Sequence, residues 1–404
     1  MMMRRWISRL TIATIVLLLG LLGLVRFGGL LVTNADGRAI GYSSTSGEWL
    51  MLEYANHPAA IDGPYVLGAE GQRNVLRLHP DAAGVIQAQT QALTDSEIEI
   101  RVDNTAGTRF TVPLRGEHPR AATDVAMPDR LLIASDFEGE FDAFVALMQA
   151  HGVIDAQLRW SFGPGHLVLV GDMVDRGRNV LPLLWLVYKL EAEAAAAGGA
   201  LHYLLGNHEQ KLLVGNTSDV AGKYYATFRL SGRSQRELFD ETSELGRWLR
   251  SKPVLLKVGE HLFMHGGLSP EVLALQPTLD EVDRYAASFL ARPPQEVDDA
   301  RAKAIIWDRN GVLWYRGLAM ARDDMPKASD AHVQQVLRHY GVRHLVIGHT
   351  LARHVGYDYA GAVWRVDVHH AGGTREGLLV EGGNAYRVDE LGRREALGAV
   401  ANLD

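Results

Sequence analysis

The sequence contains no cysteine, which excludes disulfides, zinc ribbons, cysteine nucleophiles and iron–sulfur clusters together. It also lacks an excess of positive charge, because 41 lysines and arginines stand against 48 aspartates and glutamates for a net charge of −7. General nucleic-acid binders need a broad basic surface, so no nucleic acid is expected as a partner. Any bound metal ion must use histidine, aspartate, glutamate or asparagine side chains.

The composition is that of a globular protein. Hydrophobic residues make up 47% of the 404 residues and charged residues 22%, with 42 glycines and 14 prolines. These proportions exclude a disordered, a collagen-like or a multi-spanning membrane protein. A chain of this length is long enough for two or three domains, one of which can bury a large core.

The first 33 residues differ from the rest of the chain. Arg4, Arg5 and Arg9 precede an apolar run over residues 10–25, and after Arg26 an apolar stretch continues to position 32. Basic residues ahead of an apolar run are typical of an export signal or an N-terminal membrane anchor. We predict an uncleaved inner-membrane anchor over residues 10–32, with a cleaved signal as the alternative. Either prediction makes the protein extracytoplasmic, on the periplasmic side, and the anchor makes the membrane a partner.

Two further regions are predicted by their patterns. Residues 34–128 are rich in Gly, Asp and Thr, and strict alternation over 97–103 and 109–114 predicts a β-hairpin, so we expect a small β-rich accessory domain. From residue 129 to 404, short apolar strands alternate with helical patterns. This alternation is typical of an α/β domain, in which polar residues collect at the carboxyl ends of strands.

Five polar motifs follow the predicted strands of residues 129–404. They are Ser135-Asp136-Phe137-Glu138-Gly139, Gly171-Asp172-Met173-Val174-Asp175-Arg176-Gly177, Gly206-Asn207-His208-Glu209, Met264-His265-Gly266-Gly267 and Gly348-His349-Thr350. Asp136, Asp172 and Asn207 are spaced by about one β-α-β unit each, so we expect their side chains to converge at one edge of a sheet. This set of oxygen and nitrogen ligands predicts a two-metal site of the kind that hydrolyses phosphoesters.

In this order the motifs resemble those of the calcineurin-like metallophosphoesterases and, within them, the phosphoprotein-phosphatase branch. Residues 245–253 and 314–317 are similar to the bacterial Shewanella-like phosphatases, and the whole resemblance covers about residues 130–390. It implies an α/β class with a calcineurin-like α/β/β/α sandwich. To this we add the expected small β-rich N-terminal domain and an N-terminal hydrophobic helix.

The resemblance also implies roles for the motif residues. The first metal ion would be held by Asp136, Glu138 and Asp172, and the second by Asp172, Asn207, His265 and His349. A hydroxide bridging the two ions would attack phosphorus. His208 would protonate the leaving oxygen, Asp175 would orient His208, and Arg176 and Arg316 would bind the phosphate oxygens.

Glu138 departs from the family pattern, which has histidine at this position. A carboxylate is a harder ligand than imidazole, so we expect two divalent ions with manganese favoured and Mg, Ca, Fe or Zn as alternatives. The competing interpretation is a first site that is weak or empty.

The sequence therefore predicts a metal-dependent hydrolase of phosphate monoesters. The expected substrates are phosphorylated proteins or peptides, phosphotyrosine included, or small phosphoesters. One alternative is a hydrolase of nucleotide polyphosphates such as diadenosine tetraphosphate. The other is a pseudo-phosphatase that only binds; Glu138 favours it, whereas retention of His208, Asp175 and Arg176 counts against it.

Overall fold

A computed structural model describes residues 30–33, 39–43, 48–51, 57–68, 72–322 and 325–399 of the chain. The chain divides into two compact units, residues 1–59 with 222–230 and residues 60–221 with 231–404. The smaller unit contains a three-stranded antiparallel sheet. Its strands follow chain order: β1 (Leu30–Thr33), β2 (Ala39–Ser43) and β3 (Glu48–Met51).

The larger unit begins with two small antiparallel sheets. One is β4 (Asp62–Leu67), β5 (Asn74–Pro80) and β6 (Ile86–Ala92), and the other is the hairpin of β7 (Glu97–Arg101) and β8 (Arg109–Pro113). The predicted hairpin is confirmed, with Arg101 opposite Arg109. Its alternation has the expected cause, because Ile98 and Ile100 are buried while the intervening Glu99 is exposed.

Two six-stranded mixed sheets make up the centre of the larger unit. Their orders are β12-β11-β10-β18-β19-β20 and β16-β17-β15-β14-β13-β9. The strands are β9 (Asp124–Val125), β10 (Arg130–Ala134), β11 (His166–Leu169), β12 (Ala200–Tyr203), β13 (Leu255–Val258), β14 (His261–Met264), β15 (His344–Ile347), β16 (Gly356–Asp358), β17 (Val363–Arg365), β18 (Glu376–Glu381), β19 (Asn384–Asp389) and β20 (Arg394–Ala399). Parallel pairing joins β10 to β11 to β12 in one sheet and β14 to β15 to β17 in the other.

Helices connect these strands. They are α1 (Phe141–Ala150), α2 (Val180–Ala196), α3 (Asn207–Val214), α4 (Gly222–Ser231), α5 (Gln235–Leu238), α6 (Glu244–Arg250), α7 (Pro270–Ala274), α8 (Leu279–Phe289), α9 (Ala300–Ile306) and α10 (Asp330–Tyr340). Short 3-10 turns lie at Pro294–Glu296, Tyr359–Gly361 and His370–Gly372. Helix α4 belongs almost entirely to the smaller unit.

The main core lies between the two large sheets. Leu131, Ile133 and Val168 of one sheet and Phe263 and Val346 of the other belong to one cluster of buried side chains. Burying a side chain of this size stabilises the fold by about 1.5–3 kcal/mol. The expected α/β class is therefore present as two mixed sheets packed on one core, and the strands that carry the motifs belong to these sheets.

The predicted membrane anchor over residues 10–32 requires correction. Within the part of the chain that the structure describes, no helix is long and apolar enough to cross a bilayer. Leu30–Thr33, the end of the expected apolar helix, instead forms strand β1, to which the β-branched Val32 and Thr33 are well suited. The rest of the predicted anchor lies outside the described residues. The domain boundaries at 33 and 128 and the extracytoplasmic location stay predictions.

Candidate metal centre and active site

The predicted metal ligands converge at the carboxyl ends of the strands of both large sheets. Ligand atoms of Asp172, His265 and His349 lie within 4.8 Å of one another, and so do those of Glu138, Asp172 and His208. Asp172 belongs to both groups. The second group contains His208, predicted as a proton donor, in place of Asp136, and the sharing of Asp172 between two metal ions stays a prediction.

Close approach of the strand-end loops requires glycine at the motif positions. A Cβ atom on Gly206 would lie 2.2 Å from Oδ1 of Asp172, and one on Gly348 would lie 2.4 Å from Oγ of Ser135. The loops also hold side-chain-bearing residues in a strained backbone conformation. Of the ten described non-glycine residues with positive φ, six are predicted site residues: Asp136, Glu138, Asp172, Asp175, Arg176 and His349. Such strain persists where the surrounding fold enforces it, and it clusters at functional sites.

The hydrogen bonds of His265 show that this group of residues fits a cation. Its Nδ1–H donates to the carbonyl oxygen of Val170 at 2.7 Å, which leaves Nε2 of the neutral ring with a lone pair. That Nε2 lies 3.0 Å from Oδ2 of Asp172 and 3.0 Å from Oδ1 of Asn207. If the His265 ring is neutral, lone pairs of its Nε2, of Oδ2 of Asp172 and of Oδ1 of Asn207 face one another. A proton or a metal ion among these three atoms removes that repulsion. Buried imidazole, carboxylate and amide donors in this arrangement fit a divalent metal.

A backbone carbonyl also orients the ring of His349. Its Nε2–H donates to the carbonyl oxygen of Trp314 at 3.0 Å, which directs Nδ1 away from that carbonyl. Burial, with the neighbouring His265 and Arg316, holds the pKa of His349 well below its ordinary value. His349 is therefore neutral, as a metal ligand must be.

Asp172 carries the central negative charge of the site. Burial alone would raise its pKa, but the neighbouring His265 and His208 outweigh burial and hold the pKa below its usual range. Burial alone would likewise lower the pKa of His265, yet the charge of Asp172 raises it above the ordinary value. Without a metal the proton on His265 compensates Asp172, and a cation can take that place.

Asp136 and Glu138 lie in the same cavity as Asp172. Oδ2 of Asp136 accepts a hydrogen bond from the backbone N–H of His349 at 3.2 Å, and burial beside other carboxylates raises its pKa well above the ordinary value. Glu138 forms an ion pair with Arg176 through its Oε1. Burial raises the pKa of Glu138, and the guanidinium of Arg176 opposes that rise. Two of the residues predicted for different roles, Glu138 and Arg176, are therefore partners.

His208 forms a buried dyad with Asp175. Its Nδ1–H donates to Oδ2 of Asp175 at 2.8 Å, while Nε2 lies 3.7 Å from Oδ2 of Asp172 and 3.4 Å from Nη2 of Arg176. Burial by itself would lower the pKa of His208, but Asp172 and Asp175 together raise it above the ordinary value. The ring is thus held in one orientation, with Nε2 turned toward the site.

A cavity of about 350 Å³ opens above these groups. Arg176, Arg316 and His208 line it together with Asp136, Glu138 and Asp172, so cationic and anionic groups face the same space. Arg316 donates to the carbonyl oxygen of His349, and its Nη1 lies 3.4 Å from Oγ1 of Thr350. All four predicted catalytic residues and the six predicted ligands are therefore in one neighbourhood, although Arg176 and Arg316 already have partners.

Two residues of the site were missed by sequence reasoning. The Glu209 carboxylate accepts hydrogen bonds from the backbone N–H groups of Gly206, Asp172 and Met173 at 2.6–2.9 Å and from the Tyr203 hydroxyl at 2.8 Å. It therefore ties the loop after β11 to the start of α3. Its position as the last residue of Gly-Asn-His-Glu was the available signal.

Asp367 is the second missed residue. It lies two residues after the end of β17 and lines the cavity with predicted ligands. Burial and the nearby charge of Glu138 raise its pKa to about 7. Its signal in the sequence was a polar residue after the apolar run Val363-Trp364-Arg365-Val366, the same pattern as at the other strand ends.

Comparison with known proteins agrees with this geometry. The calcineurin-like phosphoesterase family matches residues 129–353. An uncharacterized protein of Schizosaccharomyces pombe is 30% identical over 236 residues, covering 56% of this chain and 68% of that protein. Shewanella-like protein phosphatase 2 of Arabidopsis thaliana is 26% identical over 269 residues, covering 55% of this chain and 66% of that protein. This chain thus spans about two thirds of the length of each relative.

Among solved structures, a cold-active protein-tyrosine phosphatase of a psychrophilic Shewanella species is similar to this chain. The TM-score is 0.76 at 30% sequence identity, and the match covers 84% of this chain and 100% of that one. The similarity therefore extends well beyond the motif loops.

Proposed function

Because the chain is a metallophosphoesterase of the calcineurin-like phosphoesterase family, we propose that it hydrolyses phosphate monoesters on proteins or peptides, phosphotyrosine included. The single observation that carries this proposal is the His208–Asp175 dyad at the edge of the ligand cluster. A protein that only bound phosphate would need no oriented proton donor. An enzyme that expels an alkoxide or phenoxide leaving group does need one.

The dyad supports a division of labour between its two members. Asp175 accepts the Nδ1 proton of His208, so Nε2 is the nitrogen that would give its proton to the leaving oxygen. The negative charge of Asp175 also stabilises the protonated ring before that transfer. Asp175 acts through His208 and is in this sense a positioning residue.

The arginines support phosphate binding. A guanidinium offers two parallel N–H donors to two phosphate oxygens and tolerates the charge that spreads over them during transfer. Arg316 is already fixed on the loop that carries His349, so it costs little conformational entropy to hold it there. Arg176 must leave Glu138, or share it with substrate, to take part.

Two divalent ions fit the ligands that the cavity offers. Asp172, Asn207, His265 and His349 would hold one ion, and Asp136, Glu138 and Asp172 the other. When bound, such ions supply Lewis acidity at the phosphoryl group and activate water. The predominance of carboxylates at the first site supports manganese there over zinc.

The relatives support the substrate class. Two similar proteins are named as protein phosphatases, and one of these is a protein-tyrosine phosphatase. Leu351 is 58% exposed and lines the cavity beside the arginines, so an apolar group next to the phosphate would find a contact there. A phosphotyrosine ring has that property.

The test compares substrates on the purified full chain with Mn²⁺ present. We expect hydrolysis of phosphotyrosyl or phosphoseryl peptides, with His208→Ala slowing turnover about 10²–10⁴-fold while its metal content stays unchanged. His354→Ala is the matched control, because His354 pairs with Glu376 and does not line the cavity.

Two results would overturn the proposal. Faster hydrolysis of diadenosine tetraphosphate than of any phosphopeptide would favour the nucleotide-polyphosphate alternative. Binding of metal with no turnover on any phosphoester would favour a pseudo-phosphatase.

A further inference from the structure

Asp367 lies at the same level of the sheet as a predicted metal ligand. Strands β15 and β17 are parallel neighbours, with Ile347 opposite Arg365. Two residues beyond this pair lie His349 on one strand and Asp367 on the other. The pairing continues past them, because the N–H of Ala352 donates to the carbonyl oxygen of Asp367 at 2.9 Å and Ala352 bridges to Val368. The backbone of Asp367 is therefore fixed at the edge where the ligands collect.

The side chain of Asp367 is buried in the cavity. Only 6% of the residue is exposed, and it lines the cavity that Asp136, Glu138 and Asp172 also line. Among the described residues, no hydrogen bond or ion pair reaches its carboxylate. A buried carboxylate of this kind is costly, because it has lost its hydration without gaining a hydrogen bond, and the nearby charges of His265 and Arg316 offset that loss only in part.

The neighbouring carboxylates are better compensated. Asp136 accepts from the N–H of His349, Glu138 pairs with Arg176, and Asp172 lies beside protonatable histidines. The pairing of Glu138 with Arg176 has a second consequence. Because Arg176 already engages Oε1 of Glu138, this carboxylate is available to the first ion only in part, and Asp367 lines the same cavity.

We propose that Asp367 contributes its carboxylate to the metal ion on the Asp136 side of the centre. A divalent cation is the partner that a buried, unpaired carboxylate among other oxygen donors requires. This inference rests on the proposed dinuclear function and adds a ligand to it. The first site then has an oxygen-only donor set, with Glu138 shared between the ion and Arg176.

The experiment titrates metal-depleted full-length protein with Mn²⁺ by calorimetry and by electron paramagnetic resonance. Wild type is expected to bind two ions. Asp367→Asn keeps the size of the side chain and removes its charge, and we expect it to weaken one of the two ions by roughly 10–100-fold or more while sparing the other. Glu140→Gln is the matched control, because Glu140 lines the same cavity and is not a proposed ligand.

A second measurement follows thermal unfolding without and with Mn²⁺. In metal-free protein, Asp367→Asn removes one of several buried like charges, so the melting temperature of the variant should be higher than that of wild type. Addition of Mn²⁺ should raise the melting temperature of the variant by less than it raises that of wild type. This comparison also shows that the variant is folded.

The outcomes separate the two ideas. Two ions bound by Asp367→Asn with wild-type affinity would overturn the role of Asp367 and leave the proposed function intact. Failure of wild type itself to bind a second ion would refute the dinuclear mechanism and the inference with it.

Discussion

Replacing Asp175 by asparagine tests whether His208 is the proton donor. Asp175 is 1% exposed, and its Oδ2 accepts the Nδ1 proton of His208 at 2.8 Å. Asparagine has nearly the same shape but carries no charge. It can still accept that proton through its amide oxygen, so the ring stays in place while the protonated form of His208 loses its counter-charge.

The size of the effect follows from that lost charge. A buried hydrogen bond to a charged group contributes about 1.5–3 kcal/mol. Each 1.36 kcal/mol in the barrier changes the rate tenfold, so kcat should fall roughly 10–150-fold for a substrate whose leaving group needs a proton. Phosphoserine and phenyl phosphate are such substrates. For p-nitrophenyl phosphate, whose leaving group is stable as an anion, the loss should be smaller.

The assay therefore compares kcat for phenyl phosphate and p-nitrophenyl phosphate in wild type and Asp175→Asn, with metal content measured in both. Asp219→Asn is the matched control, because Asp219 lies in the same group of side chains but pairs with Lys211. An equal loss for the two leaving groups would refute the reasoning, since a proton donor must matter more to the poorer leaving group.

Three further predictions concern metal choice and stability. Glu138→His should raise the ratio of Zn²⁺ to Mn²⁺ affinity about tenfold by calorimetry, because it replaces an oxygen ligand with nitrogen; an unchanged ratio would mean that Glu138 is not a ligand. Glu244→Gln should cost about 3–5 kcal/mol in urea unfolding at pH 7, since the buried Glu244 accepts from His118 and Tyr188. These partners outweigh burial and lower the pKa of Glu244, so its contribution to the free energy of unfolding is present above about pH 4.5. The destabilisation caused by Glu244→Gln should therefore shrink as pH falls below that value. A destabilisation that stays the same in acid would contradict this. Burial lowers the pKa of His261 to about 3, so His261 alone should take about 3 kcal/mol from the stability of wild type between pH 7.5 and 4.5 as the unfolded chain takes up the proton. The loss over this range should be smaller by that amount in His261→Leu in the same assay, and an equal loss in both proteins would contradict this.

The succession of strands along residues 129–404 and the polar residues at their ends could be predicted because their signals are local. An apolar run followed by Asp172 or by Asn207 specifies both a buried strand and the polar residue at its end. The hairpin of β7 and β8 was predictable for the same reason, since alternation of Ile98 and Ile100 with glutamates needs no distant partner. The prediction of an apolar helix was wrong for Leu30–Thr33, because these residues pair with β2 as a strand. Hydropathy alone could not indicate that pairing.

What the sequence by itself determined is which residues stand at the strand ends, and through their order the family and its chemistry. What only the tertiary structure decided is how those residues are paired. The ion pair of Glu138 with Arg176 joins positions 38 residues apart. The cavity brings Asp367 together with Asp136, more than 200 residues away along the chain. Neither juxtaposition has a periodic signal in the sequence. The physical reason is burial. Once the loops enclose the cavity, the fold sets which side chains lie within a few ångströms of each charge, and therefore which charges are compensated.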